Sequence, residues 1–375
     1  MSTAAPSAKR HTPSSPHLSR LGRLRALIVE ARADILLVTN PVDVGYLTGF
    51  LGGDSYLLVP AEGRPLVVSD FRYQEELAAI APVADVLIRT KGLADAAADV
   101  LAGLRPKRVA AQGEHIPVAE FSALKERLKS IDLIASTGLV ARLRRQKDAA
   151  EVALIRAAIR IQEQALEAIL PTIRPGQTEL AVAARLEAEM KTRGASEPGF
   201  KTIVASKAAG SLPHYRPGPS RLAINKTVLI DWGAVYEGYH GDMTRVFTLG
   251  KWPAKIREIY QIVLDAQQAA AAALAPGQHT HAIDAIARAH ITKHGYGEHF
   301  GHGLGHGMGL NGHEDPRLNP LFPDDTLRPG DVVTVEPGIY LPGVGGVRLE
   351  DDYLITERSA ENLCRLPKDL RWATL

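Results

Sequence analysis

Leu18, Leu21, Leu24, Leu27 and Ile28 stand three or four residues apart, the spacing of one helix face. An amphipathic helix is predicted there. The pattern then changes. "ILLVTN" over 35–40 is short, apolar and β-branched, and Asn-Pro stops it, as expected of a strand. "YLLVP" and "PLVVSD" predict two more strands, joined by "AEGR". "DVLIR" and "RVAAQG" continue the series, with alanine-rich helical segments between them. This alternation predicts a small α/β domain over 17–140. Its acids are scattered as on a solvated surface, and none has the spacing of a catalytic cluster.

A long helical period begins at Asp148. Asp148 suits the N-cap, and Glu151 three residues on completes a capping-box pattern. The domain boundary is placed just before it, near residue 140. The basic run 142–147 reads as a charged connector in preference to a nucleic-acid patch. Beyond it the chain carries a faint duplication. One helix follows Pro175-Gly176 and ends at Gly194, another follows Pro276-Gly277 and ends at Gly295, and both Pro-to-Gly distances are nineteen residues.

A strand pair with acids follows each of these helices. In "VLIDWGAVYEGYHGDMTRVF" a hairpin centred between Tyr236 and Glu237 sets Asp231 opposite Asp242. In "VVTVEPGIYLPGVGGVRLEDDYLIT" a turn centred on Gly343 sets Glu336 opposite Glu350. Like charges facing each other destabilise a ladder, the more so when buried, unless protonation or a cation relieves them. Two such pairs call for one or two divalent metal ions. "HGLGHGMGLNGHE" adds His302, His306 and His313 at spacings of four and seven, between glycines that let backbone approach closely. The stretch lacks GxxxxGK[ST] and the strand-then-glycine context of a dinucleotide fold, so a metal site is favoured over a phosphate cradle.

Composition narrows the classes. A chain of 375 residues is long for one core and suggests two domains. The net charge of +2, from 44 basic and 42 acidic residues, gives no field that would draw the protein to nucleic acid or to a membrane surface. Cys364 is the only cysteine, which excludes an intrachain disulfide and a cysteine zinc cluster and suits a reducing compartment, the cytoplasm. The first residues are rich in Ser, Pro and Ala without an apolar stretch, so 1–16 is expected to be a disordered tail and not a secretory signal. No run of eighteen apolar residues predicts a membrane span.

These motifs resemble the M24 metallopeptidases of the pita-bread fold, the group of prolidase (Xaa-Pro dipeptidase), aminopeptidase P (Xaa-Pro aminopeptidase) and methionine aminopeptidase, with creatinase as a relative. The resemblance is strong over 148–367. It is looser over the N-terminal part, where "ILLVTNPVDVGYLTGF" is similar to the creatinase/prolidase N-terminal domain. It implies an α/β fold with a creatinase/prolidase-like domain over 17–140 and a pita-bread catalytic domain over 141–375.

The resemblance also implies five ligands to two divalent metal ions: Asp231, Asp242, His306, Glu336 and Glu350, with Asp242 and Glu350 shared by both ions. Glu336 would double as catalytic acid/base. His214, His302 and His313 match the accessory histidines that hold substrate or stabilise the oxyanion, and Arg348 matches an arginine near the metal-bound acids at the substrate site. An oxygen-rich set with one imidazole suits Mn²⁺, and Co²⁺, Fe²⁺ or Zn²⁺ are compatible. The implied reaction is attack of a metal-activated water on a peptide carbonyl, with the Xaa-Pro bond of a peptide or dipeptide as substrate and a homodimer as the assembly. The N-terminal domain speaks against methionine aminopeptidase, while prolidase and aminopeptidase P are not separated. Gly309-Leu310-Asn311-Gly312-His313 departs from the family's Gly-Leu-Asp/Glu-hydrophobic-His, so pocket shape and substrate stay open. Two rival readings, a metal-free creatinase-type amidinohydrolase and a non-catalytic pita-bread binding module, go with loss of ligands, and all five ligand types are present here. A metallopeptidase of unrelated specificity, for a small amide, stays open because of Gly312.

Overall fold

The computed structural model describes residues 15–375, which fall into two compact units divided between Leu143 and Arg144. Residues 1–14 of the expected disordered tail lie outside the described residues, and Ser15 and Pro16 already begin the helix Ser15–Glu30. In that helix Leu21, Leu24 and Ile28 are buried while Leu18 is exposed.

The N-terminal unit is built on a six-stranded sheet. Its order is Asp85–Ile88, Leu66–Ser69, Tyr56–Pro60, Ile35–Val38, Arg108–Gln112, Asp132–Ser136. The three strands 35–38, 56–60 and 66–69 run antiparallel in succession, and the outer pairings are parallel. Leu37, Leu58, Val68, Val109 and Leu133 share one core with Leu101 and Leu124 of the covering helices. Not all the acids of this unit face solvent, contrary to expectation. Asp43 is buried and accepts from Gln112 Nε2 at 2.6 Å, and Asp70 is buried between Arg72 and Arg89. Each finds a polar partner, which is what burying a carboxylate demands.

The second unit holds the internal repeat. Its helices Glu179–Thr192 and Thr280–Lys293 are both 14 residues long. The helix Ala149–Ile169 before them starts as the sequence predicts: Asp148 accepts from Ala150 N and Glu151 N, and Glu151 accepts from Asp148 N. The basic run is not a solvated connector. Arg144, Arg145 and Lys147 are buried, with Arg145 paired to Asp325 and Asp331 and the other two to Glu314.

Two helix pairs sandwich the sheets. Ile159, Leu166 and Leu186 pack with Val228, Ile230, Trp232 and Phe247. Ile259, Val263 and Ile283 pack with Leu229, Val246, Val333, Val335 and Leu349. Strand side chains alternate between faces. On Thr227–Trp232, Asp231 therefore shares the face of Leu229, turned toward the second core. On Val332–Val335 the acid that follows, Glu336, shares the face of Val332, which packs in the first core. The acids of the two repeats thus face each other between the sheets.

One expected register is corrected. Asp231 pairs with Thr244, not with Asp242. The turn is centred between Glu237 and Gly238, both left-handed at φ 49° and 83°, as a two-residue hairpin turn requires. The difference is a slip of two residues, which leaves every side chain on its face. In the second hairpin Val335 pairs with Asp351 and Gly338 with Arg348 about Gly343, which brings Glu336 level with Glu350. No helix among the described residues is long and apolar enough to cross a membrane.

Candidate metal centre and active site

Asp231, Asp242, His306, Glu336 and Glu350, with His214, His302, His313 and Arg348, line one cavity of ≈ 730 Å³ in the second unit. His306 Nε2 lies 3.3 Å from Glu336 Oε1 and 3.9 Å from Asp242 Oδ2. Donor atoms of Asp242, His306 and Glu350 lie within 4.8 Å of one another, a group able to hold a metal ion. Asp231 Oδ2 accepts from Arg348 Nη2 at 2.5 Å. Its other oxygen, Oδ1, is buried with no hydrogen-bond partner. A buried bare carboxylate oxygen beside three clustered donors fits a divalent cation.

The electrostatics point the same way. Burial and then the charge of Glu350 push the Asp242 carboxyl well above its usual range. Burial and Glu350 do the same to Glu336. Burial and the Asp231 charge raise Glu350 to about 8. Burial raises Asp231 as well, with Arg348 pulling against it. A cation among these groups removes the cause of the crowding.

The imidazoles are set by their second nitrogens. His306 Nδ1 lies 3.1 Å from the carbonyl of Gly307, which can only accept. Nδ1 therefore carries the proton, and the lone pair on Nε2 faces Glu336 and Asp242, as a metal ligand requires. Burial, with His313 adding to it, pushes its pKa down to about 3, so the ring is neutral. Gly305 makes this approach feasible, since a Cβ there would stand 2.1 Å from Thr334 O. His302 is held by the same logic. Its Nδ1 donates to Gly303 O at 2.8 Å, Tyr340 Oη donates to its Nε2 at 2.8 Å, and Arg348 Nη1 donates to Tyr340 at 2.9 Å. Burial and then the Arg348 charge lower it to about 4. The His313 ring stacks on His306 at 3.8 Å between centroids.

Several participants escaped the sequence. Thr244 Oγ1 donates to Glu350 Oε2 at 2.6 Å and accepts from Arg348 Nε at 3.0 Å. Its signal was parity, two residues past Asp242 on the same face. Arg317 lines the cavity four residues after His313, with Phe322 under its guanidinium at 5.5 Å. Glu179 is fully buried and accepts from Ser206 N and Oγ, Tyr215 Oη and Gly218 N, which ties down the loop that carries His214. Nothing in the sequence separates it from an ordinary first-turn helix acid. Gly312, expected to alter the pocket, is not among the cavity's lining residues, and a Cβ there would meet only His240 at 3.7 Å.

Fold and site together define a metal-dependent hydrolase. Residues 153–357 match Metallopeptidase family M24, and residues 20–146 match the Creatinase/Prolidase N-terminal domain. The chain belongs to metallopeptidase family M24 and is a metallopeptidase. It is 36% identical over 356 residues to the Xaa-Pro dipeptidase of Pyrococcus furiosus, spanning 94% of this chain and 99% of that one. The solved Xaa-Pro dipeptidase from Bacillus anthracis superposes with a TM-score of 0.91 at 36% identity, over 96% of this chain and all 100% of that one. The X-Pro aminopeptidase from Thermotoga maritima does so at 0.86 and 34%, over 95% and 99%.

Proposed function

We propose that the protein is a dinuclear-metal exopeptidase that hydrolyses the Xaa-Pro bond of dipeptides or at the N-terminus of peptides. The observation that carries this reading is the bare, buried Oδ1 of Asp231 beside the clustered donors of Asp242, His306 and Glu350. With Glu336 they make an oxygen-rich set with one imidazole, which suits two divalent ions, Mn²⁺ first among them. Such ions supply an acidified water and a Lewis acid for the scissile carbonyl.

The chain's own groups do the rest. Glu336 Oε1 takes the proton of the attacking water and returns it to the departing nitrogen. The tertiary amide nitrogen of proline, like any peptide nitrogen, must gain one proton to leave as an amine. Neutral His302 is held by Tyr340 and Gly303, and with His313 and His214 it lines the cavity where substrate backbone and the developing oxyanion lie. Arg348 holds Asp231 by one oxygen, leaving the other for the cation. Arg317 gives the cavity a cation suited to a substrate carboxylate, which favours a dipeptide.

We read the protein as a cytoplasmic homodimer. A single unpaired cysteine supports the compartment. Leu51 and Phe71, 77% and 75% exposed on the N-terminal unit, offer apolar surface for a second copy to cover.

The test is elemental analysis of the purified protein together with hydrolysis of Ala-Pro and Ala-Pro-Ala in Mn²⁺. Two metals per chain with cleavage of the dipeptide alone is the expected result. Cleavage of the tripeptide shifts the reading to aminopeptidase P. Absence of metal after reconstitution overturns the site.

A further inference from the structure

The basic run 142–147 has no part in the reaction just described, yet two of its side chains reach the active-site loop. Lys147 Nζ donates to Glu314 Oε2 at 3.1 Å, and Arg144 Nη2 donates to Glu314 Oε1. The Lys147, Arg144 and Glu314 side chains are 1%, 6% and 8% exposed. Charged side chains so withdrawn from water are a costly way to anchor a fold that apolar residues could anchor as well. What the cluster holds explains it better.

Glu314 follows His313 directly. Its Oε1 also accepts the backbone N–H of Asn311 at 3.0 Å. With the Asn311 amide turned to face Arg144, its oxygen accepts from Nη2 at 2.8 Å. These bonds close the turn 311–314. Between its ends stand Gly312 and His313, and Gly312 has no side chain to hold the turn and loses the most freedom on ordering. On the strand side Glu314 pairs with Gly307, next to His306, on which the His313 ring stacks. The loop crosses the ion pair closely: a Cβ on Gly309 would stand 2.8 Å from Lys147 Cε and 3.0 Å from Glu314 Oε2. The cations outweigh burial and hold the Glu314 carboxyl below its usual range, so it is ionised.

We propose that Arg144 and Lys147 are positioning residues for His313: through Glu314 they lock the 309–314 turn so that the His313 imidazole keeps its place against His306 and toward the substrate. The inference rests on the reading of His313 as a substrate-holding group in Xaa-Pro hydrolysis.

A double-mutant cycle on the metal-loaded full-length chain tests it, with Ala-Pro as substrate. Lys147→Met and Glu314→Gln are each expected to lower kcat/KM by about tenfold or more, the scale of a small misplacement of a catalytic group. Metal content is expected to be unchanged. In a His313→Ala background the same substitutions are expected to cost less than about twofold, because the group they position is gone. Equal losses in both backgrounds overturn the proposal, since a role in fold stability alone does not depend on His313. Loss of metal from either single variant overturns it as well. Should Lys147→Met fail to fold, Glu314→Gln carries the cycle, as it keeps the volume and the acceptor for Asn311. A wild type that binds metal but leaves Xaa-Pro bonds intact overturns the proposed function and this inference with it, whereas an active wild type with equal losses overturns this inference alone.

Discussion

His302 and His306 make the same bond through Nδ1, each to the carbonyl of the following glycine, and differ in what Nε2 meets. For His306 it is the carboxylates. For His302 it is Tyr340 Oη, which also accepts from Arg348. Tyr340 therefore links the guanidinium that holds Asp231 to an imidazole that lines the cavity. Tyr340→Phe keeps the ring and removes only the link. Turnover is expected to fall about tenfold, the value of one hydrogen bond to a charged partner, with metal content unchanged. Full activity in a steady-state assay would show that His302 needs no such support. The ligand-type residues were legible because acids and histidines stand out at fixed spacing. Tyr340 was not, because a tyrosine in the apolar run "GIY" reads as core, and its hydroxyl partner lies across the hairpin at Arg348.

The elements show what an amphipathic pattern can and cannot reveal. The helix from Asp148 was readable to its first residue, because a capping box is local chemistry with a fixed spacing. The hairpin register at Asp231 was misjudged by two positions, because the left-handed Glu237 gives no sign of itself in sequence. The strand Asp132–Ser136 went unnamed, since only Leu133 of its residues is buried and no alternation stands out. Least visible were the acids that helices use to pin the histidine loops. Glu179 accepts four donors around the His214 loop. Asp284 accepts from Leu304 N, while Arg288 bonded to it donates to the carbonyls of Phe300 and His302. Their partners are distant in sequence, so no window contains the signal. Glu179→Ala leaves buried donors unpaired and is expected to cost about 2–3 kcal/mol. Asp148→Ala removes a half-buried cap and is expected to cost about 1 kcal/mol. Urea titration of the two variants checks the order, and equal midpoints would deny Glu179 its buried role.

At the scale of the whole molecule the two repeats put their acids face to face, so the fold concentrates negative charge at its own centre, and that has a consequence for stability. In the metal-free chain Glu350 keeps its proton up to about 8, and Asp242 and Glu336 are raised too, while the unfolded chain ionises them near their ordinary values. Between those limits the folded state binds more protons, so stability falls as pH rises. His302 and His306, lowered to about 4 and 3 from 6.5, act in the opposite sense, because below 6.5 the unfolded chain takes up their protons and stability rises with pH. Above 6.5 their contribution levels off as the unfolded imidazoles lose their protons, and the raised carboxyls come to dominate. The window in which the raised carboxyls dominate thus runs from pH 6.5 to about 8. One proton across it amounts to about 2 kcal/mol, or roughly 5 °C for a unit of this size. Metal-stripped protein is therefore expected to lose melting temperature by that order over this window. With Mn²⁺ added the trend should reverse, since deprotonated ligands bind the ion more tightly as pH rises. Thermal scans with and without the metal decide the matter. A stripped protein whose melting temperature holds level from pH 6.5 to 8 would mean that its central acids are not crowded, and the reason for placing a cation among them would be gone.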